Sequence, residues 1–124
     1  MNNAVRIPGY LFGLAVMLAF AFSLSALAQA TAPAQAHKQV EIYGQKIHYV
    51  EAGSSGQTVI LLHGLGGDTT NWAMTIPALA SKYHVYVPDQ IGFGQSDKPI
   101  INYRVATLVE FLTQFYKKLG IEKA

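Results

Sequence analysis

The 124-residue chain contains no cysteine. Disulfides, thiolate metal sites and cysteine nucleophiles are therefore excluded. Charge is scarce as well: Asp, Glu, Lys and Arg make up 13% of the residues, and the net charge is +2. No basic stripe suited to nucleic acid runs along the chain, so nucleic acid is not an expected partner. No internal repeat is present. The length is enough for one small domain at most. Hydrophobic residues make up 51%, but one N-terminal segment inflates that figure.

Residues 1–28 have the layout of an export signal. Arg6 supplies a short positive start, Leu11 to Leu27 carries no charge, and Ala26-Leu27-Ala28 offers the small-x-small pattern of a cleavage site before Gln29. Ala28-Gln29-Ala30 is a second such site. The alternative is an uncleaved membrane anchor over residues 7–28, for which an apolar stretch of this length lies at the lower limit of about 17 residues for spanning. The expected location is accordingly exported, periplasmic or secreted, with membrane contact only through this segment. Residues 29–37 (QATAPAQAH) are low in complexity and read as a linker, with His37 as a solvated linker residue.

The remainder, residues 38–124, is organised around Thr58-Val59-Ile60-Leu61-Leu62-His63-Gly64-Leu65-Gly66-Gly67-Asp68. An uncharged, partly β-branched run ends in a loop holding Gly64, Gly66 and Gly67. The run predicts a strand buried on both faces. The loop lets another molecule approach main-chain N–H groups closely. Lys38 to Glu51 precedes it as a predicted hairpin, with Val40, Ile42, Ile47 and Tyr49 in alternation and Gly44-Gln45 between the two runs. His48, inside that hairpin, reads as a surface or half-buried strand histidine. A helix is predicted from about Asn71 to Lys82, kinked or split at Pro77. Trp72 at its start reads as a core residue rather than a pocket wall.

His84 to Pro88 is the next predicted strand, delivering a second glycine-punctuated loop, Asp89 to Pro99. An amphipathic helix closes the pattern. Val105, Leu108, Val109, Leu112, Phe115, Tyr116 and Leu119 repeat at helical spacing, with Asn102 as a candidate cap and Gly120 as a stop. Hairpin, strand, helix, strand, helix is the pattern of an α/β protein, with a mostly parallel sheet and helices on both faces.

Two ligand classes suit a glycine loop at the C-terminal end of such a strand. A dinucleotide is one: Gly64-x-Gly66 opens the G-x-G-x-x-G fingerprint, and Asp89 sits near the place of a ribose-binding acid, but Thr69 occupies the sixth position. An oxyanion is the other. Here His63-Gly64-Leu65-Gly66-Gly67, the following Trp72, and Asp89-Gln90-Ile91-Gly92-Phe93-Gly94-Gln95-Ser96-Asp97-Lys98-Pro99 resemble the N-terminal part of an α/β-hydrolase. Within that superfamily the chain resembles the lidded branch that includes haloalkane dehalogenases, epoxide hydrolases and meta-cleavage-product hydrolases. The likeness covers about Val40 to Ala124.

The resemblance implies that the backbone N–H of Leu65 is one of two oxyanion-hole donors, a kind of contact worth roughly 3 kcal/mol in the transition state. Its side chain would face a pocket for a small, apolar substrate. The resemblance also implies that His63 is structural rather than a general base. It makes Gly64, Gly66, Gly67, Asp89, Gly92, Gly94 and Ser96 loop-bracing residues. No cofactor and no metal is implied.

The family's nucleophile lies on a G-x-S-x-G elbow one strand beyond the last helix seen here, followed by the acid and then the histidine. Gly94-Gln95-Ser96-Asp97-Lys98 is the nearest match, but it ends in lysine and precedes the wrong helix. The expectation is therefore an incomplete α/β-hydrolase sheet, the N-terminal fragment of an exported hydrolase. Such a chain lacks nucleophile, acid and base and has no turnover alone. The rivals are a short non-catalytic exported protein or interaction module from a truncated gene, and a dinucleotide-binding fragment. In the family's strand order the Val59–Leu62 strand would be an exposed edge here, which predicts poor solubility or partial folding of residues 29–124. Cooperative unfolding of a monomer with sharp, dispersed NMR peaks would refute that expectation.

Overall fold

A computed structural model describes residues 34–124. The expected export signal and residues 29–33 of the expected linker lie outside the described residues. Gln35, Ala36 and His37, read above as linker, are instead the first residues of a strand.

Strand β1 (Gln35–Ile42) pairs antiparallel with β2 (Gln45–Ala52), in register from Gln35 opposite Ala52 to Ile42 opposite Gln45. The two-residue turn is Tyr43-Gly44, one position earlier than the sequence pattern suggested. Both residues have positive φ, 52° and 73°, as a turn matching the twist of the flanking strands requires. Strand β3 (Thr58–Ile60) leads into a 3-10 turn, η1 (Thr69–Trp72), and a short helix, α1 (Ile76–Ala80). Strand β4 (His84–Pro88) and helix α2 (Val105–Leu119) follow.

The sheet order is β1-β2-β4-β3. Strand β4 runs antiparallel to β2 and parallel to β3. Flanked on both sides, its residues Val85 to Pro88 are all buried. Strand β3 lies at the edge of the described sheet. It is therefore half-buried, not buried on both faces as its apolar composition suggested.

Period-two alternation gives each face its own core. Ile47 and Tyr49 join Ile42, Tyr86, Ile91 and Phe115, which Leu108, Phe111, Leu112 and Leu119 of α2 cover. Val50, Ala52, Val85 and Val87 point the other way, onto Ile76 and Ala80 of α1, with Leu61, Trp72 and Leu79 around them. Trp72 thus packs at the margin of this second core.

The helical segment after β3 differs from its prediction in a way the sequence explains. It starts at Thr69, because Asp68 accepts from the Thr70 N–H while Asn71 reaches back to the Asp68 N–H, a reciprocal capping box. Pro77 then lies in the first turn of α1, where its missing N–H leaves no bond unmade. Helix α2 has the expected range and ends on Gly120 at φ 67°. Its cap position is Arg104, with no side-chain cap, so Asn102 does not play that part. Val105 and Val109 belong to the apolar stripe of this helix but are 76% and 55% exposed. Among the described residues no helix is long and apolar enough to cross a membrane.

Candidate functional site

Because β3 and β4 are parallel, the loops that leave their C-terminal ends emerge side by side. The sheet thereby brings both glycine motifs together, although they lie more than twenty residues apart in sequence. Gln90 links them. Its backbone N–H donates to His63 Nε2 at 3.0 Å, and its side-chain amide donates to the His63 carbonyl at 2.7 Å.

His63 is 5% exposed, and both of its ring nitrogens are engaged. Nδ1 lies 2.8 Å from the Gly64 carbonyl, which only a protonated nitrogen can approach as a donor, so Nε2 carries the lone pair that accepts from Gln90. Phe93 packs its ring edge-to-face against the imidazole. A ring held in this way has no free lone pair with which to take a proton from a nucleophile.

Asp89 is fully buried and accepts three hydrogen bonds. The Thr69 N–H donates to Oδ1 at 2.6 Å; the Gln95 N–H and His48 Nδ1 reach Oδ2, each at 2.8 Å. A carboxylate removed from water is tolerable only with such a set of partners. Ser96 completes the loop: its hydroxyl donates to the Asp89 carbonyl at 2.6 Å and accepts the His48 N–H at 2.9 Å. Gly94 passes so close that a Cβ there would fall on the Asp89 carboxyl group, and its φ is 51°. A Cβ on Gly92, at φ 92°, would strike the Tyr103 ring. Asp97 accepts the Lys46 N–H at 2.7 Å, tying the same loop to β2.

The first loop is built differently. Gly67 N–H bonds back to the Gly64 carbonyl at 3.1 Å and closes a turn. Gly66, at φ 75°, has open space where a side chain would stand. Among the described residues the Leu65 N–H donates to no protein acceptor, and the Leu65 side chain is 97% exposed.

Sequence reasoning missed His48. It is buried at 3% exposure rather than at the surface, and Asp89 holds it. The available signal was its place on the same strand face as Val50 and Ala52. The structure also overturns the ribose-binding reading of Asp89, whose oxygens are occupied inside the protein.

The chain belongs to the alpha/beta hydrolase fold family, whose sequence model matches residues 57–124. A haloalkane dehalogenase of Mesorhizobium japonicum is 41% identical over 93 residues, 75% of this chain and 30% of that protein. A soluble epoxide hydrolase of a Corynebacterium species is 38% identical over 87 residues, 70% of this chain and 30% of that protein. The crystal structure of a bacterial membrane phospholipase A superposes with a TM-score of 0.70 at 30% identity, covering 94% of this chain and 42% of that one. The chain thus spans about 30% of the length of the two curated relatives and holds part of the family's fold.

Proposed function

We propose that these residues form the N-terminal part of an exported hydrolase that cleaves an ester or a related carbon–heteroatom bond of a small molecule. In this reading the Leu65 N–H is an oxyanion-hole donor, and the nucleophile, acid and base come from outside the 124 residues. One observation carries it. Among the described residues the Leu65 N–H has no acceptor, and it lies beyond the C-terminal end of β3 on a loop tied to the next one through His63 and Gln90. An unpaired backbone donor in a fixed position stabilises developing negative charge without reorganising. The exposed Leu65 side chain beside it suits an apolar substrate. Relatives named as a dehalogenase, an epoxide hydrolase and a phospholipase support the reaction class and no single substrate.

The test replaces Leu65 with its α-hydroxy acid in the natural full-length product, exchanging the N–H for an oxygen. The expected result is a fall in kcat of about 10²–10³ with KM little changed. Unchanged kcat would overturn the assignment. Sequencing the gene beyond the Ala124 codon tests the premise. A G-x-S-x-G elbow or its Asp equivalent is expected within about a strand's length, roughly 5–10 residues. A stop codon directly after Ala124 would overturn the catalytic reading. The 124-residue chain alone is expected to show no ester turnover, and N-terminal sequencing of the exported product is expected to begin at Gln29.

A further inference from the structure

The hairpin carries a histidine pair of which the loop scaffold uses one ring nitrogen, His48 Nδ1, and leaves the facing nitrogens of the two rings without a role. His37 on β1 and His48 on β2 lie on the same face of the sheet, in diagonal positions: His37 is opposite Val50, and His48 is opposite Gln39. Diagonal cross-strand neighbours are within reach of large side chains. Here His37 Nδ1 is 3.0 Å from His48 Nε2, with the rings inclined by 22°. The other nitrogen of His48 faces the Asp89 carboxylate at 2.8 Å. That bond places the proton on Nδ1 and leaves the lone pair on Nε2, aimed out of the core towards His37.

We propose that His37 and His48 form a two-imidazole site for a borderline divalent transition ion such as Zn²⁺, Cu²⁺ or Ni²⁺. The chemistry of the donors selects this class, since imidazole suits these ions and not hard cations. The separation fits as well. Metal–nitrogen bonds of about 2.0–2.1 Å, at angles between square-planar and tetrahedral, set two ligand nitrogens about 2.9–3.4 Å apart. A carboxylate on the far nitrogen of a ligating histidine fixes its tautomer and raises its basicity, and Asp89 stands in that position. His48 is held at the backbone and at the ring, so it forms the rigid half of the site. His37 is exposed, so an ion arriving from solvent enters by displacing the bond between the rings. Among the described residues no cluster of three or more His, Cys, Asp or Glu could hold a metal. Water therefore completes the coordination, and the ion is exchangeable rather than structural.

The test titrates the natural full-length product, free of any histidine tag, with Zn²⁺ by calorimetry and with Cu²⁺ by electron paramagnetic resonance. One saturable ion per chain is expected, with two imidazole nitrogens in the Cu²⁺ spectrum. His37→Ala removes an exposed ligand without touching either core, and is expected to abolish Zn²⁺ binding and leave fewer nitrogens on copper. His84→Asn alters a histidine bonded to Glu51 on the opposite face of the hairpin and is expected to change neither. Absence of saturable binding to wild type would overturn the site. So would binding that survives His37→Ala intact, or binding lost equally in His84→Asn.

Discussion

The two glycine loops leave neighbouring parallel strands at the same end of the sheet, yet the chain treats their backbone groups in opposite ways. In the loop after β4, Asp89 collects two backbone N–H donors and an imidazole, Ser96 bridges to β2, and Gly94 lies against the carboxyl group. In the loop after β3, a backbone turn closes over Gly64 to Gly67, and among the described residues the Leu65 N–H has no acceptor. The loop after β4 spends its polar groups on itself; the loop after β3 keeps a donor without an acceptor among the described residues. Glycine serves both, in one case to let the chain press against a buried carboxylate and in the other to leave room above the backbone. A glycine motif alone does not say which.

Replacing Asp89 by alanine attacks the closed loop at its centre and carries the largest expected effect. Three donors, on η1, on the loop and on β2, lose their acceptor inside the protein. Leaving buried donors without an acceptor costs about 1–3 kcal/mol for each. The expected outcome is a collapse in soluble yield, or a matching drop in the urea midpoint of whatever folded protein remains. A drop below about 1 kcal/mol would mean that the loop is held by its turns rather than by the carboxylate.

Ser96→Ala is the next step down and distinguishes bracing from chemistry. The His48 N–H loses its acceptor, which costs about 1–3 kcal/mol in a buried setting. Ester turnover per folded molecule of the full-length product is expected to stay at the wild-type level. Abolished turnover in a variant that still folds would make Ser96 a participant in the reaction and erase the difference between the loops.

Much of this arrangement was legible in the sequence, and the parts that were not share a cause. The β-branched runs at Val59 and Val85 and the stripe through Leu108, Leu112 and Phe115 are local patterns, and they gave the order of elements correctly. Burial in pairs is not local. His48 read as a half-exposed strand residue because its partner, Asp89, lies 41 positions away. Val105 and Val109 obey helical spacing but are exposed and pack on neither core. Thr69 starts η1 because Asp68 and Asn71 cap each other, a side-chain exchange that apolar periodicity does not register. No pattern of side chains marks the Leu65 N–H as a backbone donor without an acceptor among the described residues; its reading as an oxyanion donor rests on family resemblance.

Glu51 offers a surface counterpart to Asp89 and a smaller effect. It joins three strands, accepting from Lys38 on β1 at 2.6 Å and from His84 on β4 at 2.7 Å. Burial opposes its ionisation, but the bonds from Lys38 and His84 prevail and hold its carboxyl below the ordinary value of 4.5. A carboxyl group lowered in the folded state adds stability that is complete above that ordinary value and disappears as pH falls through the lowered one. Glu51→Gln is therefore expected to be less stable than wild type near neutral pH, by no more than about 1 kcal/mol at this partly exposed site. The two proteins should converge in strong acid. Denaturation midpoints between pH 7 and pH 3, run side by side, check the sign. A gap that widens in acid would contradict it.

Leu65→Ala is expected to have the smallest effect on stability, and that is why it is informative. At 97% exposure the side chain contributes nothing to either core, so the midpoint should move by less than about 0.5 kcal/mol. The N–H remains, so the proposed oxyanion contact is untouched and kcat for a small ester should hold. What changes is the apolar surface beside the donor. KM should therefore rise for long-chain esters and stay level for acetate esters, and a chain-length series measured on the full-length product reads the difference. A fall in kcat across the whole series would show that the side chain positions the loop, which would move Leu65 from the open loop's category into the closed one's.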